Sequence, residues 1–342
     1  MIGEYMRRRE FITVLGGAAA AWPLSARAQQ PGDRKRLIAL LMGGSASDPL
    51  WQANAAVVRE SLAKMGWIEG LNLRVELRFG EGDADSMRAQ ARALVKLAPE
   101  AILAATGAAA RALQQETKSI PIVVAAAGPE EDIAVALVKN IARPEGNMTA
   151  FPILFYSVGG KWVELLKEAA PAVARVGLVF NPDTFTAKLS GGYFDAIKAA
   201  AQVLGVKTVN ISFEHAADLD SAISAFAREP NGGLIILPGA ATSTRDVRQS
   251  VLLLAARHRL PAIQWTKSYP ADGGLMSYGS DYADMHRRAA GYIDRLLRGA
   301  KVSELPVQYP TKFDLVVNLK AANAIGLTIP ETFLVRADQV IE

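Results

Sequence analysis

The run Gly274-Leu275-Met276-Ser277-Tyr278-Gly279, with the chain that follows it, decides the fold. The pattern predicts a strand, a helix from Tyr282 to Arg298, a polar segment through Pro306 and Pro310, a strand from Leu315 to Asn318, and a helix ending before Pro330. A domain usually needs about 100–150 residues, so this block is short for a core of its own. We therefore expect it to complete two domains laid down earlier, by passing between them more than once. The working site then lies in the cleft between those domains.

The chain upstream of this block shows two series of alternating strands and helices, separated by the connector Arg143-Pro144-Glu145-Gly146-Asn147. The first series starts with the apolar strand Leu37 to Met42, and Asp48-Pro49 then predicts a helix start, with Asp as N-cap and Pro at the first helical position. Its last helix is predicted from Ile133 to Ile141. Such alternation is typical of parallel sheets covered by helices on both faces. The sequence therefore predicts an α/β fold with two doubly wound parallel-sheet lobes of comparable size.

The composition of the 342 residues argues against several classes of function. There is no Cys, which rules out disulfides, thiolate metal sites and Cys nucleophiles. The net charge of +4 is not gathered into a basic stripe with aromatics, so nucleic-acid binding is not expected. The sequence contains no phosphate-binding loop and no nucleophile elbow, and its three His residues lie far apart. We therefore expect a binding function, with no catalytic residue, no metal and no cofactor.

The N-terminus carries the features of an export signal. Arg7-Arg8-Arg9-Glu10-Phe11 precedes an apolar run from Val14 to Ala21, and Ala26-Arg27-Ala28 supplies the small residues of a cleavage site. Arg8-Arg9 with Phe11 fits a twin-arginine signal. The apolar run is shorter than the roughly 20 residues of a membrane-spanning helix. We expect a signal peptide at 1–28, cleaved near Ala28, and a periplasmic mature protein without stable membrane insertion. The true start is either Met1 or Met6.

The candidate site consists of residues that follow the predicted strands, because ligands of open parallel sheets bind beyond the carboxyl ends of the strands. The first lobe supplies Gly43, Gly44, Ser45, Thr106, Gly107, Ala108 and Gly128, and the second lobe supplies Asn181, Pro238, Gly239 and Trp265. Glycines allow close approach of the backbone, and the free N–H groups at the following helix starts suit an anion such as a carboxylate. The hydroxyl of Thr106 either joins this anion site or serves only as a helix N-cap.

Aromatic residues stand near the same strand ends and near the expected lobe crossings. Trp51, Tyr156, Trp265 and Tyr278 would stack on an apolar or aromatic ligand, and core packing is the alternative for each of them. Glu130 precedes a predicted helix, where it either complements the helix dipole or contacts the ligand.

Several stretches together resemble one protein family. They are the export signal, Gly66-Trp67-Ile68-Glu69-Gly70-Leu71-Asn72, Ile120-Pro121-Ile122-Val123, Asn181-Pro182-Asp183, Gly274 to Gly279, Pro310-Thr311-Lys312-Phe313, Ala324 to Pro330 and Arg336 to Glu342. The chain resembles the solute-binding components of ABC transporters, in the family that includes tryptophan-type uptake systems. The resemblance implies a type I periplasmic binding protein fold, with two lobes that are joined by three crossings and close on a small-molecule ligand. It also implies delivery to ABC permease subunits in the inner membrane, with no chemistry in this chain.

The expected limits of the lobes follow from this resemblance. Lobe I comprises residues 36–149 and 277–308, and lobe II comprises 150–276 and 309–335. Leu275 to Gly279 is then the second crossing and Leu305 to Thr311 the third. Tyr278 is accordingly a hinge residue first and a ligand contact second.

Two positions depart from the family pattern. Gly128-Pro129-Glu130-Glu131 stands where the family often has Gly-Asp-Pro-Val, and Ala108-Ala109 follows the Thr106-Gly107 turn where Thr/Ser-Pro is common. An amino acid, an aromatic acid or another small carboxylate therefore all stay open as the ligand. A ligand sensor for a membrane receptor or kinase on the same fold is the alternative function, and an exported α/β enzyme is a more distant one. We expect a monomer.

Overall fold

The computed structural model describes residues 35–126, 138–153, 156–182, 187–239 and 241–342. The strands in these ranges are β1 (Arg36–Met42), β2 (Leu73–Phe79), β3 (Ala101–Ala104), β4 (Ile122–Val124), β5 (Met148–Ala150), β6 (Arg175–Phe180), β7 (Lys207–Ser212), β8 (Gly232–Ile236), β9 (Ala262–Gln264), β10 (Met276–Ser280), β11 (Phe313–Asn318) and β12 (Gln339–Ile341). The α-helices are α1 (Pro49–Lys64), α2 (Ala84–Lys96), α3 (Gly107–Glu116), α4 (Val158–Ala169), α5 (Ala187–Val203), α6 (Asp218–Ala227), α7 (Arg245–Arg257), α8 (Ser268–Ala271), α9 (Tyr282–Leu297), α10 (Leu319–Ala324) and α11 (Glu331–Leu334). Short 3₁₀ helices occupy Ala241–Ser243 and Val302–Glu304.

The first sheet has the strand order β2-β1-β3-β4-β5, and all of these strands are parallel. The residues from Ile38 to Met42 in β1 are fully buried, which explains why this strand reads as an unbroken apolar run. The helix that follows begins as predicted, because Asp48 caps it by accepting from Leu50 N–H at 2.9 Å and Pro49 occupies its first turn.

The second sheet has the order β12-β11-β10-β9-β8-β6-β7. Its strands pair in parallel, except that β11 runs antiparallel to β10. The exception follows from the route of the chain. It enters β11 from the other lobe, at the end where β10 leaves the sheet, and must therefore run in the opposite direction.

The segment from Gly274 to Pro330 completes both lobes, as expected from its short length. Strand β10 lies in the second sheet, whereas α9, which follows it directly, packs on α1, β3 and β4 of the first lobe. Trp67 anchors this helix, because its indole N–H donates to Asp294 Oδ1 at 2.7 Å. The chain then returns to the second sheet at β11. It therefore passes between the lobes three times, after β5, after β10 and before β11.

The three crossing segments lie side by side. The Ser280 hydroxyl donates to the carbonyl of Ile153. Gln308 N–H donates to the carbonyl of Ala150 at 3.1 Å, and Asp281 N–H donates to the carbonyl of Lys312 at 3.3 Å. The strand pairing keeps Met276–Ser280 in the second sheet. The finer limits of the lobes, at 277 and 309, stay a prediction.

The helix that was predicted to follow Asn318 and to end before Pro330 is α10. α10 ends at Ala324 because the chain turns at Gly326, whose φ of +71° is a left-handed conformation that favours glycine. Helix α11 starts only after Pro330. The predicted helix from Ile133 to Ile141 lies mostly outside the described residues, and the predicted signal peptide at 1–28 lies wholly outside them. Within the described ranges, we find no helix that is long and apolar enough to cross a membrane.

Candidate ligand-binding site

Four of the predicted residues meet at the carboxyl ends of β1 and β3. The indole of Trp51 lies directly on the Gly43-Gly44 turn, so that a Cβ atom at Gly44 would stand 1.9 Å from Trp51 Nε1. A Cβ atom at Gly43 would stand 2.6 Å from Thr106 Cγ2 and 3.1 Å from the Trp51 ring. The two glycines are therefore required for this contact. They let an aromatic ring, a hydroxyl-bearing side chain and bare backbone share one surface.

The amino terminus of α3 adjoins this surface. Thr106 is its N-cap, because its Oγ1 accepts from Ala109 N–H at 3.1 Å and its carbonyl accepts from Ala110 N–H at 3.0 Å. The N–H groups of Gly107 and Ala108 meet no acceptor among the described residues. An anion placed there would gain both the free donors and the positive end of the helix dipole.

A neighbouring loop holds the glycine turn in place. The N–H groups of Glu81 and Gly82 donate to the carbonyls of Gly44 and Gly43, both at 3.1 Å. Glu81 Oε1 also accepts from Ala46 N–H at 3.2 Å. Glu81 has a φ of 55°, a conformation that non-glycine residues adopt only at a cost in free energy. Glu81 has no recognisable pattern in the sequence, because the bonds that give it a role join two separate loops.

Ser45 follows the same turn, but its polar groups form hydrogen bonds within the loop that leads to α1. Its hydroxyl bonds to the hydroxyl of Ser47 at 3.0 Å, and its carbonyl accepts from Asp48 N–H at 3.1 Å. Gly128 and Glu130, the remaining first-lobe candidates, lie outside the described residues.

The second lobe places its candidates at the ends of the adjacent strands β6, β8 and β9. Asn181 is buried, and its Nδ2 donates to the carbonyl of Glu214 at 3.0 Å. Pro238 is buried, and Gly239 is bonded through its carbonyl to the Thr242 hydroxyl at 3.0 Å. Asn181 thus ties two loops together, and Thr242 fixes the turn that carries Pro238 and Gly239. Thr242 was missed because hydroxyl-to-carbonyl anchors leave no pattern in a sequence.

Trp265 lies at the junction of the lobes. It is only 4% exposed, and its indole donates a hydrogen bond to the hydroxyl of Tyr282, the first residue of α9. Burial raises the pKa of the Tyr282 phenol to about 12, although the Trp265 hydrogen bond acts in the opposite direction. The carbonyl oxygen of Trp265 would stand 1.8 Å from a Cβ atom at Gly279. The main chain that follows β9 therefore lies close to β10 here, and Gly279 has no room for a side chain.

Tyr156 and Tyr278 are held by ring contacts within the second lobe. Tyr156 lies against Gly192 of α5 and meets Tyr193 edge to face, with ring centroids 5.1 Å apart. Tyr278 stacks on Phe313 at 5.6 Å, and burial raises the pKa of its hydroxyl. Contact of either tyrosine with a ligand stays a prediction.

Charged side chains surround the point where β10 and β11 meet the first lobe. Lys312 Nζ lies 3.1 Å from Asp281 and 3.9 Å from Asp314. Burial acts to raise the pKa of Asp281, but the N–H of Asp284 and the ammonium groups of Lys312 and Lys267 outweigh it, and this pKa lies below its usual value. The pKa of Asp314 is raised, because burial and the charge of Asp281 outweigh the two lysines. This cluster leaves no local pattern in the sequence, since its members come from three separate segments.

Two surface cavities in the described part of the chain lie away from these strand ends. One, of about 800 Å³, is lined by residues that precede β4 and β5, at the amino edge of the first sheet. The other, of about 610 Å³, follows the edge strand β7 and helix α6. The candidate site therefore rests on the residues at the strand ends and not on either of these two cavities.

The two sheets and the three crossings define a two-lobed fold of the type I periplasmic binding protein class. The family model described as ABC transporter substrate binding protein matches residues 47–341, and the chain belongs to this family. A tyrosine-binding protein of Clostridioides difficile is 21% identical over 82% of this chain and 79% of its own length. Both the predicted family and the predicted fold class are confirmed.

Two solved structures illustrate the similarity of fold. A conserved domain protein from Vibrio cholerae is 27% identical, covers 90% of this chain and 100% of its own, and has a TM-score of 0.75. An ABC domain from Streptococcus pneumoniae in complex with L-Trp is 23% identical, has the same coverage, and has a TM-score of 0.76.

Proposed function

We propose that this chain is an exported solute-binding component of an ABC importer, and that its ligand is a small carboxylate with an aromatic ring. The observation that carries the ligand class is that the Trp51 indole and the Thr106 side chain both lie against the Gly43-Gly44 turn. This arrangement places an aromatic ring beside the free N–H groups of a helix start, which is the pairing that an aromatic carboxylate needs.

The carboxylate would bind at the amino terminus of α3. Since Thr106 Oγ1 already accepts from Ala109 N–H, its hydroxyl proton is available to donate to the ligand. The N–H groups of Gly107 and Ala108 add two further donors. Charge-assisted bonds of this kind are roughly twice as strong as neutral ones. This role makes Thr106 a helix cap and a ligand residue at once.

The ring of the ligand would stack on Trp51. Its indole is partly buried and lies on backbone that has no side chains, so one face is supported while the ring remains at the strand ends. The ligands of two relatives support this choice, since one is a tyrosine-binding protein and another was solved with L-Trp. Whether the ligand also carries an ammonium group is decided by the experiment below.

The proposal also covers location, partners and chemistry. The twin-arginine motif at Arg8-Arg9 and the cleavage site at Ala28 support export to the periplasm, and permease subunits of the inner membrane would take the ligand from the closed monomer. We expect the ligand to be released unchanged. Mass spectrometry of the secreted protein checks cleavage, and mass spectrometry of the ligand after prolonged incubation checks for turnover.

Isothermal titration of the ligand-stripped protein tests the ligand class. The set comprises L-tyrosine, L-tryptophan, their deaminated propionates and their carboxamides. We expect Kd values of about 10 μM or tighter for at least one carboxylate, or roughly −7 kcal/mol. The carboxamides should bind at least about tenfold more weakly, because they lack the charge. Equal affinity for acid and amide, or no binding at all, would refute the proposed ligand class.

A further inference from the structure

Lys267 is an exposed cation at the carboxyl end of β9. The residues before and after Lys267 are held in place by contacts. Before it, the carbonyl of Trp265 is pressed against Gly279, and after it the hydroxyls of Thr266 and Ser268 bond to each other at 2.6 Å. The position of its Cα is therefore well defined, while its side chain extends into solvent from the edge of the sheet at which ligands bind in this architecture.

The acids near Lys267 already have another partner. Lys312, not Lys267, forms the ion pairs with Asp281 and Asp314, and no carboxylate of the described residues lies within 4.0 Å of Lys267. Asp281 also accepts from the N–H of Asp284 at 3.1 Å. The acidic pair is therefore held without Lys267, which acts on it only from a longer distance.

Asp284 and Asp338 complete the charged surroundings of this cluster, from α9 and from the residue before β12. With Lys312 bonded to Asp281, Lys267 is left as an ammonium group at the junction of the lobes whose nearest acids are engaged elsewhere. An ammonium group without an ion-pair partner can bind an incoming anion without breaking an existing ion pair.

We infer that Lys267 binds the carboxylate of the ligand from the second lobe, while the amino terminus of α3 binds it from the first. This inference rests on the proposed function. Both groups carry positive charge or potential, so they repel each other as the lobes approach without a ligand. A carboxylate between them turns this repulsion into two attractions. The ligand's charge, and not its ring, would then drive closure.

The test compares each ligand with its carboxamide. The variants are Lys267→Gln, which removes the charge, Lys267→Arg, which keeps it, and Lys320→Gln, which removes one exposed charge elsewhere in the second lobe. Titrations use L-tyrosine, L-tryptophan and their carboxamides. Lys267→Gln should weaken binding of the acid by about 10- to 100-fold and of the amide by less than about threefold. Lys267→Arg should stay within about tenfold of wild type, and Lys320→Gln should match it.

Closure is followed separately by small-angle X-ray scattering. Wild type and Lys320→Gln should contract on adding saturating acid, and Lys267→Gln should contract less at equal occupancy. Equal losses for acid and amide in Lys267→Gln would show a structural role and overturn the inference. So would a variant that keeps the wild-type preference for the acid, although the proposed function would then stand. If wild-type protein binds none of the four probes, both the inference and the proposed function fail.

Discussion

Trp51 and Trp265 hold similar places in the sequence, each near the carboxyl end of a buried strand, yet the structure uses them differently. Trp51 is partly buried, and its ring rests on two glycines of the first lobe. Trp265 is almost fully buried, and its indole N–H is taken by Tyr282 across the lobe junction. The first ring therefore still has a face for a ligand, whereas the second has been built into the hinge.

The glycines beside the two rings also differ in how much room their surroundings could yield to a side chain. Next to Trp51, a Cβ atom at Gly44 would meet the end of a side chain, which can turn aside. Next to Trp265, a Cβ atom at Gly279 would meet a main-chain carbonyl directly after the paired residues of β9, and a carbonyl cannot turn aside as a side chain can. The first lobe thus presents an adjustable surface, and the second presents a rigid joint. Substitutions at these positions test that contrast.

The largest effect is expected for Gly279→Ala. Its Cβ would stand 1.8 Å from the carbonyl oxygen of Trp265, so the two strands would have to separate. We expect a loss of about 3 kcal/mol or more in the free energy of unfolding, measured by urea denaturation. Gly291→Ala is the matched control, since no atom of the described residues lies within 4 Å of a Cβ there and α9 should gain about 0.5–1 kcal/mol. Similar stabilities for the two variants would contradict the rigid joint.

Gly44→Ala should instead cost ligand affinity. The Trp51 ring would be pushed off the turn, because its Nε1 stands 1.9 Å from the new Cβ. We expect binding of the preferred aromatic carboxylate to weaken by about 10- to 50-fold in titration calorimetry, with less than about 1 kcal/mol lost in stability. Combining it with Trp51→Ala should add little to the loss, since both changes remove the same ring. Wild-type affinity in Gly44→Ala would remove Trp51 from the site.

The first-lobe side of this contrast could largely be predicted from the sequence, whereas the second-lobe side could not. The buried run of β1 and the Asp48-Pro49 helix start identify the first lobe, and parallel register then brings Gly43, Gly44 and Thr106 to one edge. The antiparallel direction of β11 could not be predicted in this way, because it depends on where the third crossing delivers the chain.

The roles in the second lobe depend on long-range partners. The sequence placed Trp265 at a strand end, but its use is decided by Tyr282, which reaches it from the first turn of another helix. In the same way, the pairing of Lys312 with Asp281 joins two crossings that are distant in sequence. Local patterns report burial and element ends, and they carry no information on which distant side chain takes a given donor.

Tyr282→Phe tests the hinge side of the comparison, and we expect an intermediate loss in the free energy of unfolding. Removing the hydroxyl leaves the indole N–H of Trp265 buried without a partner, which should cost about 1–2 kcal/mol at neutral pH. Tyr278→Phe is the control, because it keeps the ring stack on Phe313 and should cost less than about 0.5 kcal/mol. Equal unfolding free energies for these two variants would remove the Trp265–Tyr282 bond from the hinge.

Tyr282→Phe should also change how the stability of the protein depends on pH. The pKa of Tyr282 is raised to about 12 by burial, so the unfolded chain loses this proton at lower pH than the folded protein does. Stability should therefore fall as the pH rises above about 10, by up to about 1.4 kcal/mol per unit from this group. Thermal melts between about pH 9 and pH 11 should show a shallower fall in Tyr282→Phe than in wild type.

The smallest effect concerns His286, one helical turn from Tyr282 and fully buried. Its Nδ1 lies 2.8 Å from the carbonyl of Tyr282, and its Nε2 has no hydrogen-bond partner among the described residues. Burial lowers the pKa of His286, against the opposite effect of that carbonyl. Below about pH 6.5 the unfolded chain takes up a proton that the folded protein resists, so stability falls with falling pH, by up to about 1.4 kcal/mol per pH unit from this group. His286→Asn keeps a donor for the carbonyl and cannot titrate, so its melting temperature should change less over this pH range. An unchanged slope in that variant would mean that the acid sensitivity arises elsewhere, and that the buried side of the hinge tolerates a charge.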